Sequence, residues 1–324
     1  MKLRGLDPSD LEALERALRR GEPVYLDLQA DLPPELRADQ LLPCFEGAIT
    51  RTPRFTEALR EHLPLPGRDP SEPLSVTAII PTHRHTPVGL EALRAQDCDL
   101  EVMVLANGQV DGVRGDRVLR VPWGGHGATR MEGVRAATTD YVLLTVDDAL
   151  PRGAGCVRAL VEALEEGGYD AVFGRQVPWP GADPVTRERL QSWTPAGRGH
   201  WPVERLDNVF ALYRRDTLLE HPLPSVPIGE DLHWRQGRRV GYVPAAVVVH
   251  SHPRQARELY RRTRDLHLQH QLLGEPPRVA SLAGVIGALP GLVRPVLQAG
   301  PGELRCQLAE LLGQWRATRL ARRP

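Results

Sequence analysis

The chain has 324 residues, 41% hydrophobic and 25% charged, ordinary proportions for a polypeptide that buries a substantial core. Its 41 basic and 41 acidic residues cancel, which removes any overall electrostatic case for nucleic acid or an acidic membrane as partner. Lys2 is the single lysine, so Schiff-base chemistry or a P-loop lysine is nearly excluded, and the scattered Cys44, Cys98, Cys156 and Cys306 argue against a zinc site or a disulfide framework and fit a reducing cytoplasm.

Residues 1–73 read as a separate helical extension. Asp7-Pro8-Ser9-Asp10 ahead of Leu11, Leu14 and Leu18 predicts a capped amphipathic helix closed by Arg19, Arg20 and Gly21, and no signal-peptide pattern opens the chain. Leu65-Pro66-Gly67-Arg68-Asp69-Pro70 reads as a linker. The β-branched run Val76-Thr77-Ala78-Ile79-Ile80, stopped by Pro81, predicts a buried strand. Strands are also expected at Val102–Leu105, closed by Asn107-Gly108, at Val118–Val121 and at Tyr141–Val146. Short helices lie between them, through Leu90 and Leu93 and through Met131 and Val134. Val157, Leu160, Val161 and Leu164 follow helical spacing up to Gly167-Gly168, and Ala171-Val172-Phe173 returns to strand. The alternation predicts an α/β fold with a mostly parallel sheet, whose ligands bind beyond the carboxyl ends of the strands. Pro81-Thr82, Asn107-Gly108 and Asp147-Asp148 then border one crevice.

A further strand is expected over Tyr242–His250, and the chain turns helical beyond Gln255, dividing it into 1–73, 74–254 and 255–324. Val279–Val293 is the longest apolar run; interrupted by Pro290, it reads as too short to span a bilayer. Arginines beside these apolar residues leave two readings open: helices packed on the central domain or an oligomer interface, and peripheral membrane contact.

Asp147-Asp148 directly follow a buried strand. Two adjacent carboxylates there suit a hard cation such as Mg²⁺ or Mn²⁺ gripping a diphosphate, or Asp148 simply caps the next helix. Gly124-Gly125-His126-Gly127 ahead of a helix carrying Arg130 reads as a phosphate-binding turn or as an ordinary loop. Glu230-Asp231 read as a general base with a tuning neighbour or as a helix cap. His250-Ser251-His252 end a strand, where two histidines on one face can complete a metal site or serve structure alone.

The order of these features resembles glycosyltransferase family 2, and especially its rhamnosyltransferase-like branch, over about Ser75 to His270. Val76–Thr82 is similar to the family's opening strand, His126-Gly127-Ala128-Thr129-Arg130 to its "HGxxRN" segment, and Asp148-Ala149-Leu150-Pro151 to its "DALP" ending. Phe173–Pro178 with Pro180–Pro184, Asp207-Asn208 through Arg215, Glu230-Asp231 and His250-Ser251-His252 recur in the same order. Ala106 stands where the family usually has an acidic residue, Met131 replaces the usual asparagine, and Val146 holds the first position of the DxD triplet.

The resemblance implies a GT-A fold with N-terminal and C-terminal helical additions, and an inverting sugar transfer from a nucleotide-sugar donor to a carbohydrate or lipid-linked acceptor. It assigns Asp231 as base with Glu230 beside it. Pro81, Thr82, Asn107, Gly108, His126, Gly127, Arg130 and Asp147 fall to the donor, and Asp148 and His250 to Mg²⁺ or Mn²⁺. Work on cell-surface polysaccharide or glycolipid, from the cytoplasm or the inner membrane face, is the expected setting. Two rivals remain: a non-catalytic nucleotide or carbohydrate-binding module, and a sugar-phosphate nucleotidyltransferase. The second needs its glycines after the first strand and a lysine soon after, and the chain has neither.

Overall fold

The computed structural model describes residues 2–3, 8–22, 24–28, 38–45, 47–50, 74–83, 86–108 and 111–322; the expected linker at 65–70 and the cap residue Asp7 lie outside the described residues. The N-terminal segment carries the expected helix, Pro8–Arg19, and also a small parallel sheet of β1 (Lys2–Leu3), β2 (Tyr25–Leu28) and β3 (Gly47–Thr50). Strands this short carry too little periodicity to be read from sequence. Leu14, Leu18, Leu26, Leu42 and Phe45 share one core with Leu150, Val177, Trp179 and Val249. Asp39 and the Pro43 carbonyl take Arg175 and Arg152 respectively, so this segment packs directly on the main sheet.

That main sheet has nine strands. β4 (Ser75–Thr82), β5 (Asp99–Asn107), β6 (Arg117–Val121) and β7 (Tyr141–Thr145) pair in parallel in the order β6-β5-β4-β7. β8 (Leu150–Arg152), β9 (Ala171–Val177), β10 (Trp201–Val203), β11 (Phe210–Arg214) and β12 (Val240–Val249) complete it, continuing past β7 as β11-β9-β12-β10 with β8 on β12. β11 is antiparallel to both β7 and β9, while β9 and β12 are parallel. Six strands, β4 to β7 with β9 and β12, therefore run one way. Their carboxyl ends, together with the amino end of β11, collect on a single edge. This is the α/β, GT-A-like arrangement with a mixed, mostly co-directional central sheet and added helices.

Alternation along β4 sends Val76, Ala78 and Ile80 to one face, against the Cys156–Gly167 helix, and Ile79 to the other, against Met131 and Val134 of the His126–Ala136 helix. Beyond β12, the Ala256–Leu272 helix packs on the final helix, Gly302–Ala321, closely enough that a Cβ on Gly313 would meet the Tyr260 carbonyl at 2.8 Å. Buried Arg254 ties the two by pairing with Glu303 at 2.7 Å and Glu310 at 3.2 Å.

The apolar run in this region is longer than the sequence suggested. Helical turns continue through Pro290 to Ala299, giving an 18-residue stretch, Leu282–Ala299, of mean hydropathy 1.4 that is 11% buried. Pro290 opens a 3-10 turn and Pro295 lies in the first turn of the next helix, positions where a missing N–H costs no hydrogen bond. By length and composition alone this stretch passes as a membrane-crossing helix, which corrects the expectation from sequence.

Candidate active site

The edge where the strands end gathers most of the sequence-selected residues. Thr82, closing β4, donates its hydroxyl to Asp147 Oδ2 at 2.6 Å, and the Asp147 carbonyl accepts Val88 N–H at 2.8 Å. The first carboxylate of the pair is thus held between two strand ends. Asn107 closes β5, buried, with its side-chain oxygen lacking a hydrogen-bond partner; Gly108 follows with φ +80°.

Asp148 turns the other way, toward the end of β12. Its Oδ1 lies 3.5 Å from His250 Nε2 and its Oδ2 lies 3.4 Å from His252 Nδ1, and one ligand atom from each of the three falls within 4.8 Å of the others. The imidazoles meet edge to face at 4.8 Å. The strand stops at Val249, yet His250 stays in line because its N–H bonds the Val177 carbonyl at 2.8 Å. His250 Nδ1 faces Gln176 Oε1 at 3.0 Å, which fixes the tautomer with Nε2 free for an ion. Burial alone would raise the Asp148 pKa, but the hydrogen bond and charge of His250, then of His252, hold it down at about 2. Two imidazole nitrogens and an ionised carboxylate form a donor set that a divalent cation can use.

Glu230-Asp231 open the Glu230–Trp234 helix after Gly229, whose φ of +81° aims the helix start into the crevice. Buried Glu230 accepts Arg130 Nη1 and, at 3.2 Å, Asn208 Nδ2; Tyr213 OH donates to Asn208 Oδ1 at 2.5 Å. Burial pushes the Glu230 pKa up, but Arg130 beside it brings it below the usual value. Both groups are therefore charged and occupied with each other. Arg130, expected at a diphosphate, is 4% exposed and gives its guanidinium to Glu230. Among the described residues Asp231 accepts backbone donors alone, Leu232 N–H at 2.8 Å and Asn208 N–H at 3.5 Å. Burial first, then the charges of Glu230 and Asp207, raise its pKa to about 7.

The glycine-rich turn packs against this helix start. A Cβ on Gly127 would lie 2.2 Å from the Pro224 carbonyl, so only glycine lets the His126–Ala136 helix begin there. His126 at its head stacks edge to face on Trp123, 5.0 Å away, and burial together with Arg130 keeps its pKa low.

Reading the sequence did not single out four contributors. Gln176 links the two ends of the crevice, receiving His250 on one side and donating to Asp207 Oδ2 at 2.6 Å on the other. Asp207 also takes Trp193 Nε1 at 3.2 Å. Gln176 and Asp207 both sit inside motif-like stretches, which was the available signal. The fourth, Arg262, is exposed on the Ala256–Leu272 helix, and its charge lowers the pKa of both His126 and His252. A groove of about 630 Å³ beside Arg19, Arg114, Val88 and Leu150 lies elsewhere and holds none of these residues.

Residues 77–218 match the family model for glycosyl transferase family 2. That segment, β4 through the helix after β11, is similar to family 2 glycosyltransferase domains over somewhat less than half of the chain. The whole chain is also similar in fold to the mannosyltransferase PcManGT from Pyrobaculum calidifontis, described in complex with GDP-Man and Mn²⁺. The TM-score is 0.54 at 17% identity, covering 97% of this chain and 100% of that one. GalNAc-T7, described with UDP, GalNAc and Mn²⁺, aligns at TM-score 0.43 and 10% identity over 56% of this chain and 43% of its own, too distant to carry an argument. No curated protein matches the chain.

Proposed function

We propose that the protein transfers a sugar from a nucleoside-diphosphate donor to an acceptor hydroxyl, with inversion, using Asp231 as base. The observation that carries this reading is the opposed state of two carboxylates on one sheet edge, the first of them within the segment that matches the family 2 model. Asp148 is held ionised beside two imidazoles, while Asp231 has a pKa of about 7. A group titrating near neutrality can take a proton from a hydroxyl and release it afterwards, a contribution of roughly 10²–10⁴-fold in rate. One displacement with the base on the acceptor side inverts the anomeric carbon.

Asp148, His250 and His252 would hold a divalent cation, and the Mn²⁺ of the fold relative makes that ion the first to test. Such an ion supplies positive charge for the diphosphate that leaves. Thr82 fixes Asp147, Gln176 fixes His250, and the Arg130–Glu230 pair fixes the helix that presents Asp231. The backbone N–H groups at the start of the His126–Ala136 helix suit the donor phosphates, and the buried Asn107 oxygen, unpartnered among the described residues, is an acceptor at the same edge. Rhamnose as the sugar, a carbohydrate or lipid-linked acceptor and a role in surface polysaccharide or glycolipid synthesis rest on resemblance of motifs. The GDP-Man in the fold relative makes guanosine and mannose donors the first to test.

Calorimetric titration with GDP, UDP and dTDP and their sugars, with Mn²⁺ and with EDTA, tests the reading. Binding of one base class that needs Mn²⁺, with slow donor hydrolysis, is expected. Equal affinity in EDTA defeats the metal assignment. Binding without any hydrolysis favours the non-catalytic module.

A further inference from the structure

The 18 residues from Leu282 to Ala299 serve no part of the crevice, and their surface is unlike that of the rest of the chain. Leu282, Ile286, Leu289, Val293 and Leu297 are 55%, 61%, 41%, 58% and 80% exposed. Their spacing of four, three, four and four residues places them in one stripe along the helical stretch. The other sides are open too: a Cβ on Gly287 or Gly291 would meet nothing within 4 Å. No acidic residue occurs between Glu275 and Glu303, whereas Arg278 and Arg294 do. A partner protein covers one face of a helix; a segment that is apolar and bare nearly all round suits a medium that surrounds it. At about 1.5 Å per residue the stretch spans about 27 Å, ample for lying along a bilayer surface.

One anchor sets its position. Glu188 holds Arg294 at 2.8 Å and Gln298 at 3.3 Å, and Glu188 belongs to the Pro184–Trp193 helix, whose Trp193 reaches Asp207. The stretch is thus fastened through that helix to the Asp207 side of the crevice.

We infer that Leu282–Ala299 docks the protein on a lipid surface, its aliphatic side chains entering the acyl boundary with Arg278 at the headgroups. This goes beyond sugar transfer and does not depend on it. The test is co-sedimentation of the full chain with vesicles of phosphatidylcholine alone and with about one third phosphatidylglycerol. Wild type is expected in the pellet, more strongly with anionic lipid, and Ile286→Asp with Leu297→Asp should weaken binding at least about tenfold. Hydrogen exchange on the unaltered protein should show vesicle-induced protection centred on 282–299. Wild type remaining in the supernatant at low salt, undiminished binding by the double variant, or protection elsewhere overturns the inference. So does a lipid-free dimer that the same two substitutions dissociate, since a second copy then covers the stripe. GDP titration with Mn²⁺ on the same samples reports the transfer reading separately.

Discussion

The two ends of the crevice hold aspartates in opposite states. Asp148, beside two imidazoles, is held at about 2; Asp231, with backbone donors and flanked by Glu230 and Asp207, rises to about 7. Arg130, whose charge acts against the rise at Asp231, is already neutralised by Glu230. Neighbours, more than burial, separate the two carboxylates, since burial raises both. One end is built to keep negative charge and the other to gain and lose it, the division that acid–base chemistry beside a cation requires.

The sharpest way to break this contrast is Asp231→Asn. Transfer should fall by about 10²–10⁴-fold, while the Kd for nucleoside diphosphate with Mn²⁺ stays within about threefold. In wild type, kcat should rise with pH and level off above about 7, as the Asp231 proton is lost. A variant with near wild-type turnover would move the base elsewhere.

At the other end, Gln176→Leu removes the partner that fixes the His250 tautomer without touching the three candidate ligands. Mn²⁺ affinity should drop about 10–100-fold, read by metal titration, with Asp148→Ala losing more. Unchanged Mn²⁺ affinity in Asp148→Ala would leave that residue as an ion-pair partner of the two histidines only.

Legibility from sequence followed the same division. β4, β5, β6, β7 and β9 announced themselves through β-branched and apolar runs, and the strand ends located Thr82, Asn107 and Asp147. β8, β10 and β11 are three to five residues long and gain their identity from pairing partners. Glu230-Asp231 showed up as adjacent acids, but nothing in their spacing separated the ionised partner of Arg130 from the group near neutrality. That difference arises from residues 100 positions apart in the chain. The pairing of Arg130 with Glu230 was hidden for the same reason.

The contrast also predicts a stability effect. Folded Asp231 keeps its proton up to about pH 7, whereas the unfolded residue releases it near 3.8. The native state therefore binds more protons between those values, so this group's contribution to stability falls as pH rises from about 4 to 7 and stays low above. Asp231→Asn removes the loss. Its melting temperature should exceed wild type at pH 8, by the equivalent of about 1–4 kcal/mol, and match it near pH 4. The reverse order would mean that Asp231 is ionised in the folded protein at neutral pH.

The smallest expected effect concerns the charge between the two ends. Because Arg130 is committed to Glu230, the crevice needs another cation for a diphosphate, and Arg262 is placed for it. On its helix, Leu266 and Gln269 abut Gly229, and Gln269 Oε1 meets His233 Nε2 at 2.9 Å. Arg262 lies four and seven residues before them, hence on the same face, one turn nearer the helix start. Its charge reaches His126 on one side and His252 on the other. An exposed guanidinium meeting phosphate in partly screened surroundings is worth about 1 kcal/mol, so Arg262→Ala should raise the Kd for GDP or its cognate counterpart about fivefold. The deficit should shrink at high salt, where the wild-type contact is itself screened. An unchanged Kd at low salt would show that Arg262 stands over the crevice without touching the donor, leaving the helix N–H groups and the ion set as the phosphate's partners.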